Sequence, residues 1–237
     1  MNLIKKKNNL TKLINLKTKI YSQKNYNSNI QNILNWRNRL KKKYKIKSKL
    51  VNISECKDWN FDKNRNLKHR SGQFFKVQGV KIQNASNREV TNWSQPIMTQ
   101  LHGGFLAFIC RETKKNGIEF LLEAKTEPGD NGDLKICPSF QATQSNLNKA
   151  HGGKIPQFKD IVVDLKKSEL IYKCNHCEEG ARFWEKSNMN IIVKLKDPYD
   201  KRIKGANYIW ANLFQIKKLS LKNNIVNPFV KTILFMV

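Results

Sequence analysis

Between Glu119 and Gly129 the chain reads Glu-Phe-Leu-Leu-Glu-Ala-Lys-Thr-Glu-Pro-Gly, with two carboxylates and an ammonium at alternate positions. Side chains alternate across a β-strand, so Leu121, Glu123, Lys125 and Glu127 share one face. Phe120, Leu122 and Ala124 take the other, and Pro128-Gly129 stops the strand. An ammonium flanked by two carboxylates suits proton transfer: it holds one acid ionised while burial raises the other. The segment Ile136–Asn146 sorts the same way, with Ser139, Gln141 and Thr143 on one face and Phe140 and Ala142 on the other. An exposed sheet face carries similar residues. The chemistry therefore requires this side of the sheet to meet a shielded cleft.

The elements that must position these groups follow from periodicity. Phe105–Cys110 is apolar on both faces, as a central strand is. Lys114-Lys-Asn-Gly117 turns it into the charged strand, which predicts a hairpin over residues 105–127. Ile30, Ile33, Leu34, Arg37 and Leu40 recur at helical spacing behind Ser28 or Asn29, predicting a helix over 29–45 that packs on a sheet. Strands are expected at 67–80, 161–163, 169–172, 188–195 and 232–237. Short helices are expected at 147–150 and 209–221. The result is an α+β domain around a mixed sheet over residues 29–237, preceded by a basic, low-complexity segment at 1–28 expected to be frayed or weakly helical.

Composition sets further bounds. The formal charge is +27, and residues 1–50 hold fifteen lysines and arginines and no acid, leaving +12 for the other 187 residues. Such a block can hold a polyanion, but Lys, Asn and Ile are abundant throughout, so the charge does not point to nucleic acid. No apolar run approaches the roughly 20 residues that span a membrane. Five cysteines, an odd number with no secretory signal before them, predict reduced thiols in a cytoplasm. Cys174-Asn-His-Cys177 has no second ligand pair, so no metal is expected. No glycine-rich nucleotide loop, nucleophile elbow or HExxH occurs. His102 and His151 each precede Gly-Gly, where backbone can approach a ligand closely.

Several stretches together resemble the NDP-hexose 2,3-dehydratase family. They are His69–Gly79, Asn87–Pro96, Glu123–Gly129, Pro138–Asn146 with His151-Gly-Gly153, Glu178–Phe183 with Asn188-Met-Asn190, and Trp210 followed by Asn224–Asn227. The resemblance covers most of residues 30–237. It implies a Nudix-like fold without the Nudix catalytic box, and a thymidine-diphosphate-linked 4-keto-6-deoxyhexose as substrate. In such a sugar the C4 ketone acidifies the C3 proton, the C2 hydroxyl leaves, and no redox cofactor is needed. Family members usually carry two tandem repeats. This chain has one, most like the first, which implies either a homodimer or a truncated, non-catalytic nucleotide-sugar-binding module.

Within that resemblance, Glu127 or His151 would handle protons, with Glu123 as the second carboxyl. Lys125 would stabilise the enolate. Gln141, Thr143, Ser145 and Asn146 would hold sugar hydroxyls, with Gln95 and Gln100 nearby. Arg88 and Arg182, with Arg70, would meet the diphosphate through forked hydrogen bonds. Trp93, Phe74 or Trp210 would stack on the base.

Overall fold

The Phe105–Cys110 run lies at the centre of a large sheet, paired on both sides and buried on both faces. The computed structural model describes residues 2–23, 27–44, 47–100, 102–150 and 152–237. In chain order the elements are helices α1 (Asn2–Tyr21) and α2 (Gln31–Lys43), then strands β1 (Trp59–Phe61), β2 (Leu67–His69), β3 (Lys76–Ile82) and β4 (Trp93–Thr99). The hairpin follows as β5 (Gly104–Thr113) and β6 (Gly117–Lys125), then β7 (Lys135–Pro138), β8 (Phe140–Thr143), α3 (Gln144–Leu147) and α4 (Lys159–Val162). The chain closes with β9 (Ser168–Cys177), β10 (Ser187–Leu195), β11 (Tyr208–Ala211), α5 (Leu213–Ser220) and α6 (Pro228–Leu234).

Strands β1 to β4 form an antiparallel sheet in sequence order. The larger sheet runs β11-β6-β5-β10-β9 and is mixed, because β10 lies parallel to β5. Beyond Cys110 and Phe120 the two hairpin strands splay, and β7 and β8 enter the gap, β7 on β6 and β8 on β5. Ser139 sits buried at the fork, where its Oγ accepts from Ile109 N at 2.8 Å and donates to Leu121 O at 2.7 Å. The polar ends of β6 and β8 are thereby held side by side.

Each face of this sheet carries a core. One packs Phe108, Phe120, Leu122, Ile136 and Ile192 against α1, α2, α5 and α6; the other packs Ala107, Ile109, Leu121, Phe140, Ala142 and Val193 against Phe158, Ile161 and Val162. The charged side of β6 is thus interrupted by apolar Leu121, with Glu119 before it and Glu123 and Lys125 after it. Helix α2 is tied down by Arg37, which donates to Leu134 O at 2.6 Å and to both Asp133 oxygens at 2.9 Å. Burial works against the Asp133 charge, but Lys41, Lys135 and Arg37 together hold its pKa down to about 2.

Five local expectations are overturned, and the one at the N-terminus is refined. The strand expected at 67–80 is broken into β2 and β3 by residues 70–75. Residues 2–21, expected to be frayed or weakly helical, form a regular helix that buries Leu13, Leu16 and Ile20 in the first core. Lys12 pairs with Glu169 at 2.8 Å and Lys19 with Glu112 at 2.7 Å, so docking supplies what the Lys/Asn-rich sequence lacks locally. Residues 161–163 belong to a helical turn, because a short buried apolar run fits either state. At the C-terminus a helix replaces the expected strand. Asn227 Oδ1 accepts from Phe229 N at 2.9 Å and Pro228 opens the first turn. Residues 209–221 split into β11 and α5 at Asn212, whose side chain forms a reciprocal capping box with Gln215. The helix expected at 147–150 starts at Gln144 instead, capped by Thr143.

Ile20 is 1% exposed, so Ile20→Ala is expected to destabilise the protein by about 2–4 kcal/mol in urea unfolding. An unchanged midpoint would show that α1 is not docked in solution.

Candidate functional site

The end of β6, β8 with the first turn of α3, and the start of β10 converge on a cavity of about 180 Å³. Lys125, Glu127, Gln141, Thr143 and Asn146 line it, together with Glu178, Lys186 and Asn188. Lys125 Nζ lies 2.9 Å from Glu127 Oε1. Burial alone would lower the Lys125 pKa, but Glu127 and Glu123 outweigh it and raise it. The backbone of Glu127 is set by a reciprocal turn, in which Glu127 N donates to Asp130 Oδ2 at 2.8 Å.

Gln141 Nε2 points to Glu127 Oε1 at 3.5 Å, while Gln141 Oε1 is buried with no hydrogen-bond partner among the described residues. A buried acceptor without a donor is costly, and a ligand hydroxyl would relieve it. Thr143 Oγ1 meets Asn146 Oδ1 and Ser145 Oγ at 2.7 Å each, which locks this wall. Opposite them in sequence, Asn188 Oδ1 accepts from Gly104 N at 2.7 Å, and Asn188 Nδ2 donates to Glu178 Oε1. Gly103 makes this approach possible, since a Cβ there would lie 1.8 Å from the Ser187 carbonyl oxygen. Gly103 therefore serves strand packing, while Gly104 lies in the cavity wall.

Glu123 is not among the residues that line the cavity. Asn207 Nδ2 donates to it at 3.1 Å and Tyr208 adds a further hydrogen bond. Burial pushes its pKa up to about 7 despite Lys125. The two carboxyls flanking Lys125 thus sit in different surroundings, Glu127 paired at the cavity wall and Glu123 desolvated beside Asn207 and Tyr208. His151 lies outside the described residues.

The remaining expected residues are spread over other surfaces. Gln100 and Ser145 line a neighbouring 390 Å³ cavity with Gln73, Phe74, His102 and Asn148, and the Ser145 hydroxyl bonds that of Thr143, which lines the first cavity. Arg88, Trp93 and Gln95 line a 680 Å³ groove on the four-stranded sheet, beside Phe183 and Trp184. There Trp93 Nε1 donates to Gln95 Oε1 at 2.9 Å, and Gln95 donates to Ala181 O at 2.7 Å. The Arg182 side chain is 69% exposed and pairs with Glu179 at 3.0 Å. Arg70 is likewise exposed and pairs with Asp58. The Trp210 ring is covered by the Arg111 guanidinium at 4.1 Å, itself held by Glu119, and edges a separate pocket.

Glu178, Lys186 and Asn188 were not singled out by sequence reasoning. Glu178 and Asn188 lie in stretches that carry the family resemblance, but nothing local marks Lys186. All five cysteines are free thiols, and no cluster of three or more His, Cys, Asp or Glu among the described residues is disposed to hold a metal. No helix among the described residues is long and apolar enough to cross a membrane.

The described residues form a mixed-sheet α+β domain in which a carboxylate–ammonium pair and an amide side chain with an unpartnered oxygen line a cavity of about 180 Å³. A family model described as NDP-hexose 2,3-dehydratase matches residues 30–237, and the chain belongs to that family. Helix α1 precedes the matched region. A dTDP-4-dehydro-6-deoxy-alpha-D-glucopyranose 2,3-dehydratase of Saccharopolyspora spinosa is 30% identical over 177 residues, covering 74% of this chain and 35% of that protein. Its namesake from Streptomyces violaceoruber is 27% identical over 204 residues, covering 85% of this chain and 44% of that protein. The chain thus spans roughly two fifths of the length of these relatives. A solved structure of an ADP compounds hydrolase aligns over 69% of this chain and 84% of that one, with a TM-score of 0.41 and 13% identity, a likeness too distant to bear on the site.

Proposed function

We propose that this chain removes water from a thymidine-diphosphate-linked 4-keto-6-deoxyhexose, taking the C3 proton and the C2 hydroxyl. The observation that carries this reading is the Lys125–Glu127 pair beside the unpartnered Gln141 Oε1 in one cavity. Glu127 accepts the C3 proton, which the neighbouring C4 ketone has acidified. Lys125 stabilises the enolate oxygen that forms. Gln141 Oε1 accepts from a sugar hydroxyl, with Thr143 and Asn146 forming the adjoining wall. The substrate's ketone is the electron sink.

A 180 Å³ cavity is smaller than the ~300–1,000 Å³ that encloses larger ligands, so it suits a single sugar ring. The nucleotide then extends past Ser145 into the amide-lined 390 Å³ cavity. A homodimer is part of the proposal, supported by the exposed Phe61 and Trp184 on or beside the four-stranded sheet. A cytoplasmic location is supported by the five free thiols.

The test is incubation with thymidine-diphospho-4-keto-6-deoxyglucose, followed by mass spectrometry and calorimetry. Loss of one water is expected, with a size measurement in the same buffer reporting two copies. Binding heat without any dehydrated product would establish a nucleotide-sugar-binding module in place of an enzyme.

A further inference from the structure

The cavity holds two ammonium groups in different states. Lys125 is neutralised by Glu127 at 2.9 Å. Lys186 comes from the connection between β9 and β10 and has no carboxylate oxygen within 4 Å among the described residues. Its nearest carboxylate neighbour in the cavity, Glu178, is engaged by Asn188. Lys186 Nζ lies 4.2 Å from the centre of the Phe183 ring, which holds the ammonium in place without accepting its protons as a carboxylate would.

An elimination needs a base at C3 and an acid at C2. The Lys125–Glu127 pair supplies the base and the enolate's counter-charge, which leaves the acid unassigned. We propose that Lys186 is the general acid that protonates the departing C2 hydroxyl, an inference that rests on the dehydratase reading above. After Glu127 has taken the C3 proton, one N–H bond of Lys186 breaks as that proton bonds to the C2 oxygen. The C2–O bond breaks and its electron pair leaves with water. The enolate electrons form the C2=C3 bond while the C4 carbonyl is restored. Lys186, left as a neutral amine, regains a proton from solvent, and Glu127 returns its own to solvent, so the cycle balances. Burial lowers the Lys186 pKa against the pull of Glu178, which makes its ammonium a readier donor than a solvated one.

Two measurements separate acid from base. In D2O, Lys186→Gln is expected to keep exchanging the C3 proton of the ketosugar while its release of water falls about 10²–10⁴-fold. Fluoride needs little protonation to leave, so release of fluoride from the 2-deoxy-2-fluoro analogue should stay within a few-fold of the wild type. That arm also proves that the variant is folded. Water release at the wild-type rate would overturn the assignment, and so would loss of C3 exchange or of fluoride release along with water release. If the unaltered protein neither exchanges C3 nor releases water, the dehydratase reading itself fails and the assignment falls with it.

Discussion

Replacing Lys125 by methionine is expected to lower turnover of the ketosugar by about 10²–10³-fold with little change in KM. The ammonium is 2.9 Å from Glu127, and it is the paired cation at the end of β6, where an enolate would form. Its charge matters most when the substrate oxygen becomes negative, so the loss falls on kcat. Glu127→Gln is expected to be comparably severe, because an amide cannot accept the C3 proton. The two residues act as a unit, so the double variant should lose little more than the worse single one. Mass-resolved single-turnover kinetics on the three variants measures this. Full turnover in Glu127→Gln would remove Glu127 from the mechanism.

The second large effect is on stability, at Glu123. Burial raises its pKa from the usual 4.5 to about 7. Below the lower value both folded and unfolded states carry the proton, and the buried neutral acid costs nothing extra. Between the two values the unfolded chain ionises and the folded one does not, so stability falls as pH rises by about 1.4 kcal/mol per pH unit. Across the whole window the loss reaches about 3 kcal/mol and then levels off. Glu123→Gln keeps a hydrogen-bonding group near Asn207 and Tyr208 and carries no charge. It should therefore remove this slope and make the protein more stable than wild type at pH 8. Asp133, Glu112 and Glu169 have lowered pKa values, so their contributions are lost only as pH falls on the acid side and leave this window clear. Urea midpoints from pH 4.5 to 8 decide the matter. Parallel curves for variant and wild type would show that Glu123 is ionised in the folded state.

The hairpin was legible because its signals are local and agree: a doubly apolar run, a turn ending in Gly117 at φ +64°, and a strand closed by Pro128-Gly129. Helix α2 was legible for the same reason, its stripe of Ile33, Trp36 and Leu40 facing the core. Helix α1 was legible only as a frayed or weakly helical segment, since its three buried residues are diluted by lysines whose partners Glu169 and Glu112 lie far along the chain. At 161–163 and 232–237 apolar runs of a few residues look alike in a helix and a strand. The Asn227-Pro228 start of α6 was a usable signal that hydrophobicity concealed.

By itself the sequence determined the alternation that places Lys125 near Glu127, the partition of Gln141 and Thr143 from Phe140 and Ala142, and the family to which the chain belongs. Periodicity settles such matters because neighbouring residues on one strand have fixed relative directions. Only the tertiary structure decided that Glu123 is held by Asn207 and Tyr208 and does not line the cavity, while Glu178, Lys186 and Asn188 join it from residues far along the chain. It also decided that Arg88, Trp93 and Trp210 line other surfaces. The cause is the splay of β5 from β6, wedged open by Ser139: which segments meet there depends on strand pairings between residues distant in sequence, and no local pattern encodes those.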